Sequence, residues 1–306
     1  MKFYGIIKIT IFIASKSNWN RWEKGKMDKK NKNFNARPNQ KRICKNTGEE
    51  KKDRSFENEN ANEGLVIGRN AVRELLRSGR DIDKIFVQRG EREGSIVVLV
   101  AEAIERHIPI VEVEKTKLDH LSNFAVHQGI VAMAAEKEYC SVQDILAIAK
   151  EKGEKPFLVI ADGITDPHNL GALIRCAEGV GAHGLIIPKR RAVGLTPAVT
   201  KASCGAIEHL AVAKVTNLAA TVEELKQEGL WIFTAEAGGD AYYNTDFNCP
   251  CALVMGSEGE GVSRLLKEKS DFIVSIPMYG HVNSFNVSTA AAVILAEISR
   301  QHKTSK

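Results

Sequence analysis

Three polar, glycine-containing segments carry the side chains best suited to chemistry. The first runs from Asp162 to Arg175, the second from Met255 to Gly261 and the third from Ile276 to Ser288. Glycines allow the backbone to approach a ligand closely, while Asn, Ser, Glu and Arg side chains supply hydrogen bonds and charge. The three segments together predict a binding site for a polar ligand, with one guanidinium available to it.

The elements that must position these segments are short apolar strands. One apolar strand leads directly into each of the three segments: Phe157–Ala161, Cys251–Met255 and Phe272–Ile276. Helical patterns, such as those at 170–180 and 286–300, separate the apolar runs, and this alternation is typical of a parallel sheet covered by helices on both faces. Ligands of such sheets lie beyond the carboxyl ends of the strands, so the sequence predicts an α/β fold with its site there.

Each segment also has a purely structural interpretation. Asn169 could cap the helix that carries Arg175, and Gly256 and Gly261 could be turn residues. Ser284, Asn286 and Ser288 could cap the last helix. Taken singly, these alternatives are as good as the functional ones.

The chain divides by composition into four parts. Residues 1–62 form a basic tail, since residues 1–60 hold 16 Lys/Arg against 7 Asp/Glu and the remainder holds 27 against 31. The tail could bind RNA phosphates or be a solvated, disordered extension, and its first 26 residues could be a start-site artefact preceding Met27. A small α/β domain is predicted over 63–136, a linker over 137–155 and a larger α/β domain over 156–303.

The six cysteines have no spacing typical of a secreted disulfide scaffold, which favours free thiols in a reducing cytoplasm. Cys249 and Cys251 have no matching Cys or His pair, so we expect no metal. The apolar run 3–14 is too short to cross a membrane, and no membrane association is expected.

The order of the motifs resembles the SpoU/TrmH branch of the SPOUT methyltransferases over residues 65–300. The small domain resembles the substrate-binding domain of the family's rRNA-modifying members through Ile67-Gly68-Arg69-Asn70-Ala71-Val72 and His127-Gln128-Gly129-Ile130. In the large domain, the segment Lys201-Ala202-Ser203-Cys204-Gly205-Ala206 also resembles a family segment that lies between the first two signatures. The three signatures read Asp166-Pro167-x-Asn169-x-Gly171-Ala172-x-x-Arg175, then Gly256-x-Glu258-Gly259-x-Gly261, then Ile276-Pro277-Met278 leading to Ser284-x-Asn286-Val287-Ser288.

The resemblance implies a trefoil-knotted, parallel-sheet catalytic domain preceded by an RNA-binding domain like a kink-turn-binding ribosomal protein. It implies transfer of a methyl group from S-adenosylmethionine to a ribose 2′-hydroxyl of 23S rRNA, in naked RNA or a precursor ribosomal particle, with a guanosine of the peptidyl-transferase region as the expected target. A homodimer formed through the knot is implied as well, and the apolar stripe of residues 286–300 could serve it or be ordinary core. The alternatives are 2′-O-methylation of tRNA or of another rRNA nucleotide, and a non-catalytic RNA-binding ribosome-assembly factor.

The resemblance also implies roles for individual residues. Arg175 is the expected catalytic centre, and because arginine has a pKa above 12, deprotonating it at neutral pH costs roughly 8 kcal/mol; we therefore expect it to stabilise the forming alkoxide as a cation. Glu258 could pair with Arg175, and Phe285 stands where many members have Leu. The other catalytic candidates are Asn169, Ser284 and Asn286, and the cofactor-binding candidates are Thr234, Met255, Gly256, Ile276, Phe285 and Ser288.

Overall fold

A computed structural model describes residues 64–90 and 93–304. The predicted tail over 1–62, with its proposed start-site artefact, lies outside the described residues. The described chain begins at the small domain and ends in the last turn of the last helix. No helix within these two ranges is both long enough and apolar enough to cross a bilayer.

The small domain is a four-stranded sheet with helices packed against it, in the sheet order β1-β4-β2-β3. Leucines and valines at helical spacing on its first helix, such as Val72 and Leu75, are fully buried beneath the sheet. The elements are β1 (Leu65–Ile67), α1 (Arg69–Ser78), β2 (Ile82–Gln88), α2 (Ser95–Glu105), β3 (Ile110–Val113), α3 (Lys115–Leu121) and β4 (Ile130–Ala134).

The large domain contains a six-stranded sheet in the order β10-β8-β9-β5-β6-β7, in which every pairing is parallel. This confirms the predicted α/β class with a parallel-sheet C-terminal domain; the knot stays a prediction. The elements are β5 (Phe157–Ala161), α5 (Pro167–Val180), β6 (Gly184–Pro188), α6 (Pro197–Ala202), β7 (Ala211–Val215), α7 (Leu218–Gln227), β8 (Trp231–Ala241), β9 (Cys251–Met255), α8 (Arg264–Lys269), β10 (Phe272–Ser275) and α9 (Val287–Thr304).

Strand β8 is longer than the sequence predicts, and its irregularity shapes the site. The apolar pattern predicts a strand ending at Glu236, but the strand continues to Ala241. Its pairing with β10 jumps from Thr234 to Asp240 between the adjacent residues Ile273 and Val274. Residues 235–239 therefore bulge out of the ladder at the carboxyl edge of the sheet, as bulges commonly do next to active sites.

Both faces of the large sheet are covered, as the near-continuous apolar strands predict. Alternate residues of the same strand go to opposite faces: Val159 packs with α5 and α9, whereas Leu158 packs with α7. The apolar stripe of α9 is part of this core, since Ala291, Ile294 and Ile298 are buried within their own domain. The ordinary-core interpretation of that stripe is therefore correct, and the stripe gives no support to a dimer.

The segment predicted as a linker, 137–155, contains a helix, α4 (Val142–Lys152), that begins with a capping box between Ser141 and Asp144. Ile145 on this helix is fully buried against the large sheet, and its side chain fills the space that a Cβ on Gly184 would need. The connector is therefore packed onto the large domain along much of its length.

The small and large domains meet at a polar joint built around Glu208. Its carboxylate accepts a hydrogen bond from Ser78 and pairs with Arg80 at 3.2 Å, and its backbone carbonyl accepts from Lys137. The Glu208 side chain is 1% exposed. Removing one partner of a buried ion pair leaves an uncompensated charge and is strongly unfavourable, so the Arg80–Glu208 contact couples the two domains.

Candidate active site

The first polar segment connects β5 to α5, and its local sequence dictates where the helix starts. Pro167 occupies the first helical turn, where its missing N–H is no loss, and the Asp166 carboxylate accepts a hydrogen bond from the Asn169 backbone N–H at 3.0 Å. Asp166, rather than Asn169, is thus the cap. The Asn169 side chain is left free for other contacts although the residue is only 9% exposed.

The second segment is a tight loop after β9. Ser257 and Gly261 exchange two backbone hydrogen bonds of 3.1 Å each, which brings the two ends of the loop together. A Cβ at Gly256 would lie 2.1 Å from the carbonyl carbon of Gly261. Only glycine fits this position, because any side chain would collide with the returning end of the loop at Gly261 and Val262.

Asn286 lies near the end of the third segment, and its side-chain amide joins all three segments. Its Nδ2 donates to the Asn169 Oδ1 at 2.9 Å and also to the Glu258 carboxylate. Its Oδ1 accepts from the backbone N–H of Ser288 at 2.9 Å and from the Ser288 hydroxyl at 2.6 Å. Asn286 therefore caps α9, as its structural interpretation predicts, and it also bridges the first two segments.

A cleft of about 730 Å³ opens beside this network at the carboxyl edge of the sheet. Its walls combine the bulge of β8, the glycine loop after β9 and the third segment, with apolar surface from Val274, Ile276 and Ala290. Seven of the predicted site residues line it: Met255, Gly256, Glu258, Ile276, Ser284, Phe285 and Asn286.

The remaining predicted residues lie around this cleft rather than in its lining. Thr234 is fully buried, and its hydroxyl is 2.5 Å from the Ser270 Oγ; the following residues, 235–237, line the cleft in its place. Asn169 and Ser288 contact the cleft residue Asn286. Arg175 is exposed on α5.

Arg175 does not pair with Glu258 in the described chain. One guanidinium N–H donates to the Cys204 sulfur at 3.4 Å, while the Glu258 carboxylate accepts from Asn286. The expected Arg175–Glu258 pair is therefore wrong for the contacts within the described chain. The exposed guanidinium keeps most of its donors for a ligand.

Two residues near the cleft escape sequence reasoning. The Glu236 carboxylate accepts from the Val262 N–H at 3.4 Å and pairs with Lys267 at 2.9 Å, which steadies the glycine loop against the β8 bulge. Cys204, the partner of Arg175, adopts a positive φ of 53°. Glu236 could have been identified in the sequence as a charged residue at the end of an apolar strand. Nothing in the sequence singled out Cys204 apart from its position in the family segment 201–206.

A thiol close to the network is not a nucleophile. Cys176 follows Arg175 on α5, and its sulfur lies 3.9 Å from the Ser288 carbonyl oxygen. Burial raises the pKa of the Cys176 thiol, and the positive charge of Arg175 offsets this only in part. The thiol is therefore protonated at neutral pH, which argues against a nucleophilic role for Cys176.

The small domain has a groove of its own, of about 710 Å³. Arg69 is held at one wall because its backbone N–H and its Nε donate to the side chain and backbone of Gln128, at 3.1 and 3.0 Å. Phe124 and Val126 project from another wall and are 73% and 72% exposed. Phe124 has a φ of +59°, an uncommon conformation for an aromatic residue that often marks functional sites.

The fold and site define an α/β enzyme with a polar cleft at the carboxyl edge of a parallel sheet and an appended domain. Comparison with known families specifies it further. The SpoU rRNA Methylase family matches residues 156–296, and the family described as RNA 2′-O ribose methyltransferase substrate binding matches residues 65–140. The chain belongs to the SpoU/TrmH family of RNA methyltransferases, which confirms the resemblance seen in the motifs.

The chain matches two similar proteins over nearly the full length of those proteins. The Bacillus subtilis protein YacO, assigned by name to the TrmH family of tRNA/rRNA methyltransferases, is 47% identical over 237 residues, which are 77% of this chain and 95% of the relative. A Staphylococcus aureus protein with the same assignment is 45% identical over 238 residues, covering 78% of this chain and 96% of its own.

Solved structures share the fold. The SpoU methyltransferase AviRb from Streptomyces viridochromogenes, crystallised with AdoMet, superposes with a TM-score of 0.66 at 23% identity, over 83% of this chain and 95% of AviRb. An AdoMet-bound rRNA methyltransferase from Sinorhizobium meliloti has a TM-score of 0.65 at 20% identity, over 81% and 90% of the two chains. S-adenosylmethionine is the cofactor of this family's methyltransferases.

Proposed function

We propose that the protein transfers a methyl group from S-adenosylmethionine to the ribose 2′-hydroxyl of a guanosine in the peptidyl-transferase region of 23S rRNA. The observation that carries the proposal is the Asn286 amide, which joins Asn169 and Glu258 beside the 730 Å³ cleft. An rRNA substrate, free or in a precursor particle, places the reaction in the cytoplasm.

The cleft fits the methyl donor in size and in the character of its walls. Its volume lies in the range of small-molecule sites, which are mostly apolar with a few placed polar groups. Gly256 lines the cleft with backbone atoms alone, and Ile276 and Phe285 supply apolar walls. When bound, S-adenosylmethionine supplies an electrophilic methyl group on a sulfonium.

The protein's own contribution is to fix the ribose and to favour a more nucleophilic oxygen. The Asn169–Asn286–Glu258 network holds its members in one arrangement through two side-chain hydrogen bonds. The Ser284 hydroxyl lies in the cleft lining, within the same wall as Asn286. A guanidinium at Arg175 stabilises negative charge that develops on the 2′-oxygen and binds an adjacent phosphate without losing its own proton.

The appended domain favours rRNA over tRNA as the substrate. The groove beside Arg69 offers cations and an exposed aromatic ring, the combination that binds unstacked RNA bases and phosphates. The Glu208 joint connects this domain to the catalytic domain. The names of the curated relatives keep tRNA as the alternative substrate.

A homodimer formed through the catalytic domain is part of the proposal. Strand β10 is at the edge of the sheet, and Phe272 and Ile273 on it are 41% and 40% exposed, next to the half-exposed Trp231. Exposed apolar side chains on an edge strand call for a covering partner. Sedimentation of the full chain should show a dimer; a monomer at micromolar concentration would refute this part.

Ribose-methylation mapping of rRNA tests the substrate directly. We expect a strain lacking the gene to lose one 2′-O-methyl mark in 23S rRNA, and purified protein with labelled S-adenosylmethionine to restore it. If the 23S rRNA map were unchanged and a 2′-O-methyl mark were missing from tRNA, the substrate would be tRNA instead. RNA binding without label transfer to any RNA would indicate an assembly factor instead.

A further inference from the structure

Three consecutive cations stand at the carboxyl edge of the large sheet, outside the cleft already described. Lys189, Arg190 and Arg191 directly follow β6, and all three are exposed. Strand β6 is the neighbour of β5, whose loop leads to Asn169 and Arg175. We call residues 189–191 the basic loop; it flanks the catalytic site on the β6 side.

The basic loop is anchored rather than free. The Lys189 N–H donates to the Val215 carbonyl at 2.8 Å, and the Val193 N–H donates to the carbonyl of Ile164 at 3.0 Å. The second bond joins this segment directly to the segment that carries the Asp166 cap. Slightly further on, the Leu195 N–H donates to the Tyr139 hydroxyl at 2.9 Å. The cations therefore project from a backbone held on both sides.

The conformation and the electrostatics of the loop both point to an anionic ligand. Arg191 has a φ of +59°, a conformation that costs energy in a non-glycine residue and clusters at binding sites. Within 64–90 and 93–304, no carboxylate forms an ion pair with any of the three cations. Residues 61–306 hold fewer Lys/Arg, 27, than Asp/Glu, 31, so this cluster is a local exception.

We propose that the basic loop binds backbone phosphates of the RNA strand that enters the catalytic site. Guanidinium groups suit phosphate oxygens because their planar N–H donors match phosphate geometry. RNA bound there would run past the Asn169 loop toward Arg175, while its remaining part reaches the groove of the small domain. The inference rests on the proposed RNA methyltransferase activity and adds the surface that guides the strand.

The test removes these charges and compares the result with the same loss at the opposite edge of the sheet. The variant is Lys189→Gln/Arg190→Gln/Arg191→Asn, with Asn at position 191 because it tolerates positive φ. The matched control, Lys150→Gln/Lys152→Gln/Lys303→Gln, removes three exposed cations from elements near the amino ends of the strands. Binding of the full chain to a 23S rRNA transcript is measured over a series of KCl concentrations, with calorimetry of S-adenosylmethionine for both variants.

We expect the loop variant to lower the salt slope of RNA binding by about 2, from roughly 0.7 per phosphate contact. Its KM for RNA should rise while kcat stays within about twofold, because uniform binding is what is lost. Equal slopes for the loop variant and the control, with S-adenosylmethionine still bound, would overturn the inference. The single variant Arg190→Glu repeats the test with a smaller structural perturbation.

Failure of the proposed function has a different signature. Wild-type protein would then transfer no methyl group to rRNA, whatever the salt slopes of the variants. An unaltered slope together with normal methyl transfer by wild type refutes the basic loop alone.

Discussion

The catalytic cleft and the small-domain groove have nearly the same volume, about 730 and 710 Å³, but opposite construction. Glycine-containing loops and apolar side chains form the walls of the cleft, and the hydrogen-bonded network through Asn286 lies beside it. The groove is walled by Arg69 and Lys115 and by exposed apolar side chains such as Phe124. The cleft therefore presents backbone and hydrogen-bonded amides to a ligand, whereas the groove presents cationic and exposed apolar side chains.

This difference matches two kinds of ligand. A small cofactor must be enclosed closely and held in one pose, which favours glycine loops and a connected network. A long polyanion is held by many separate contacts with cations and rings, none of which needs a closed wall. Variants that disable one groove and spare the other test whether the division of labour is real.

Replacing Arg175 should have the largest effect on turnover. We expect Arg175→Ala to lower kcat by about 10²- to 10³-fold, the usual consequence of removing one donor to a developing oxyanion. Binding of S-adenosylmethionine should be unchanged, because Arg175 does not line the cleft. Single-turnover methyl transfer measures this, and Arg175→Lys separates charge from fork geometry: near-normal turnover of the Lys variant would remove guanidinium geometry from the mechanism.

Gly256→Ala should disable the cleft by sterics. The new Cβ would lie 2.1 Å from the Gly261 carbonyl carbon, so the loop must shift, and overpacking of this kind costs about 1–3 kcal/mol of folding stability. We expect calorimetry to show lost S-adenosylmethionine binding with RNA affinity preserved. Gly259→Ala is the control, since a Cβ there meets nothing within 4 Å, although its positive φ carries a strain of its own; equal binding by both variants would contradict the steric argument.

Phe124→Ala should weaken RNA binding by the small-domain groove and leave the cleft unaffected. Loss of one base-stacking ring costs about 1–3 kcal/mol, or about 5- to 150-fold in RNA affinity, with no change in S-adenosylmethionine binding. Filter binding to a 23S rRNA transcript measures it, and Phe124→Tyr should restore affinity by restoring the ring. Val98→Ala, an exposed apolar residue of the same domain outside the groove, is the control; a matching loss there would show a general effect of surface hydrophobicity.

Mild acid should lower the stability of the catalytic domain by a smaller amount. Burial lowers the pKa of His183 and His302 below the ordinary value of 6.5, so each is more readily protonated in the unfolded chain. Their contribution to stability is complete above about pH 6.5 and is lost as pH falls toward the folded-state pKa values. Urea unfolding at pH 7.5 and 5.5 should show the drop, and His183→Gln should flatten it; the exposed His281→Gln should leave it as in wild type.

Sequence reasoning predicted local features well and pairings less well. The strand Phe157–Ala161 is as predicted because an apolar run is a local property of the sequence. The length of β8 was underestimated because its continuation beyond Glu236 depends on pairing with β10 across a bulge. The Arg175–Glu258 pair was wrong for a similar reason, since the contacts that the two side chains make instead, with Cys204 and Asn286, depend on tertiary structure.

The sequence by itself determined the family, the α/β class and the three segments of the site, since motif order and apolar patterning are written along the chain. Tertiary structure alone decided that Asn286 bridges residues 117 and 28 positions away, that the α9 stripe is core, and that Glu208 joins the domains. The physical reason is that such contacts depend on the path of the whole chain, whereas helix starts, strands and tight glycine turns depend on a few neighbouring residues.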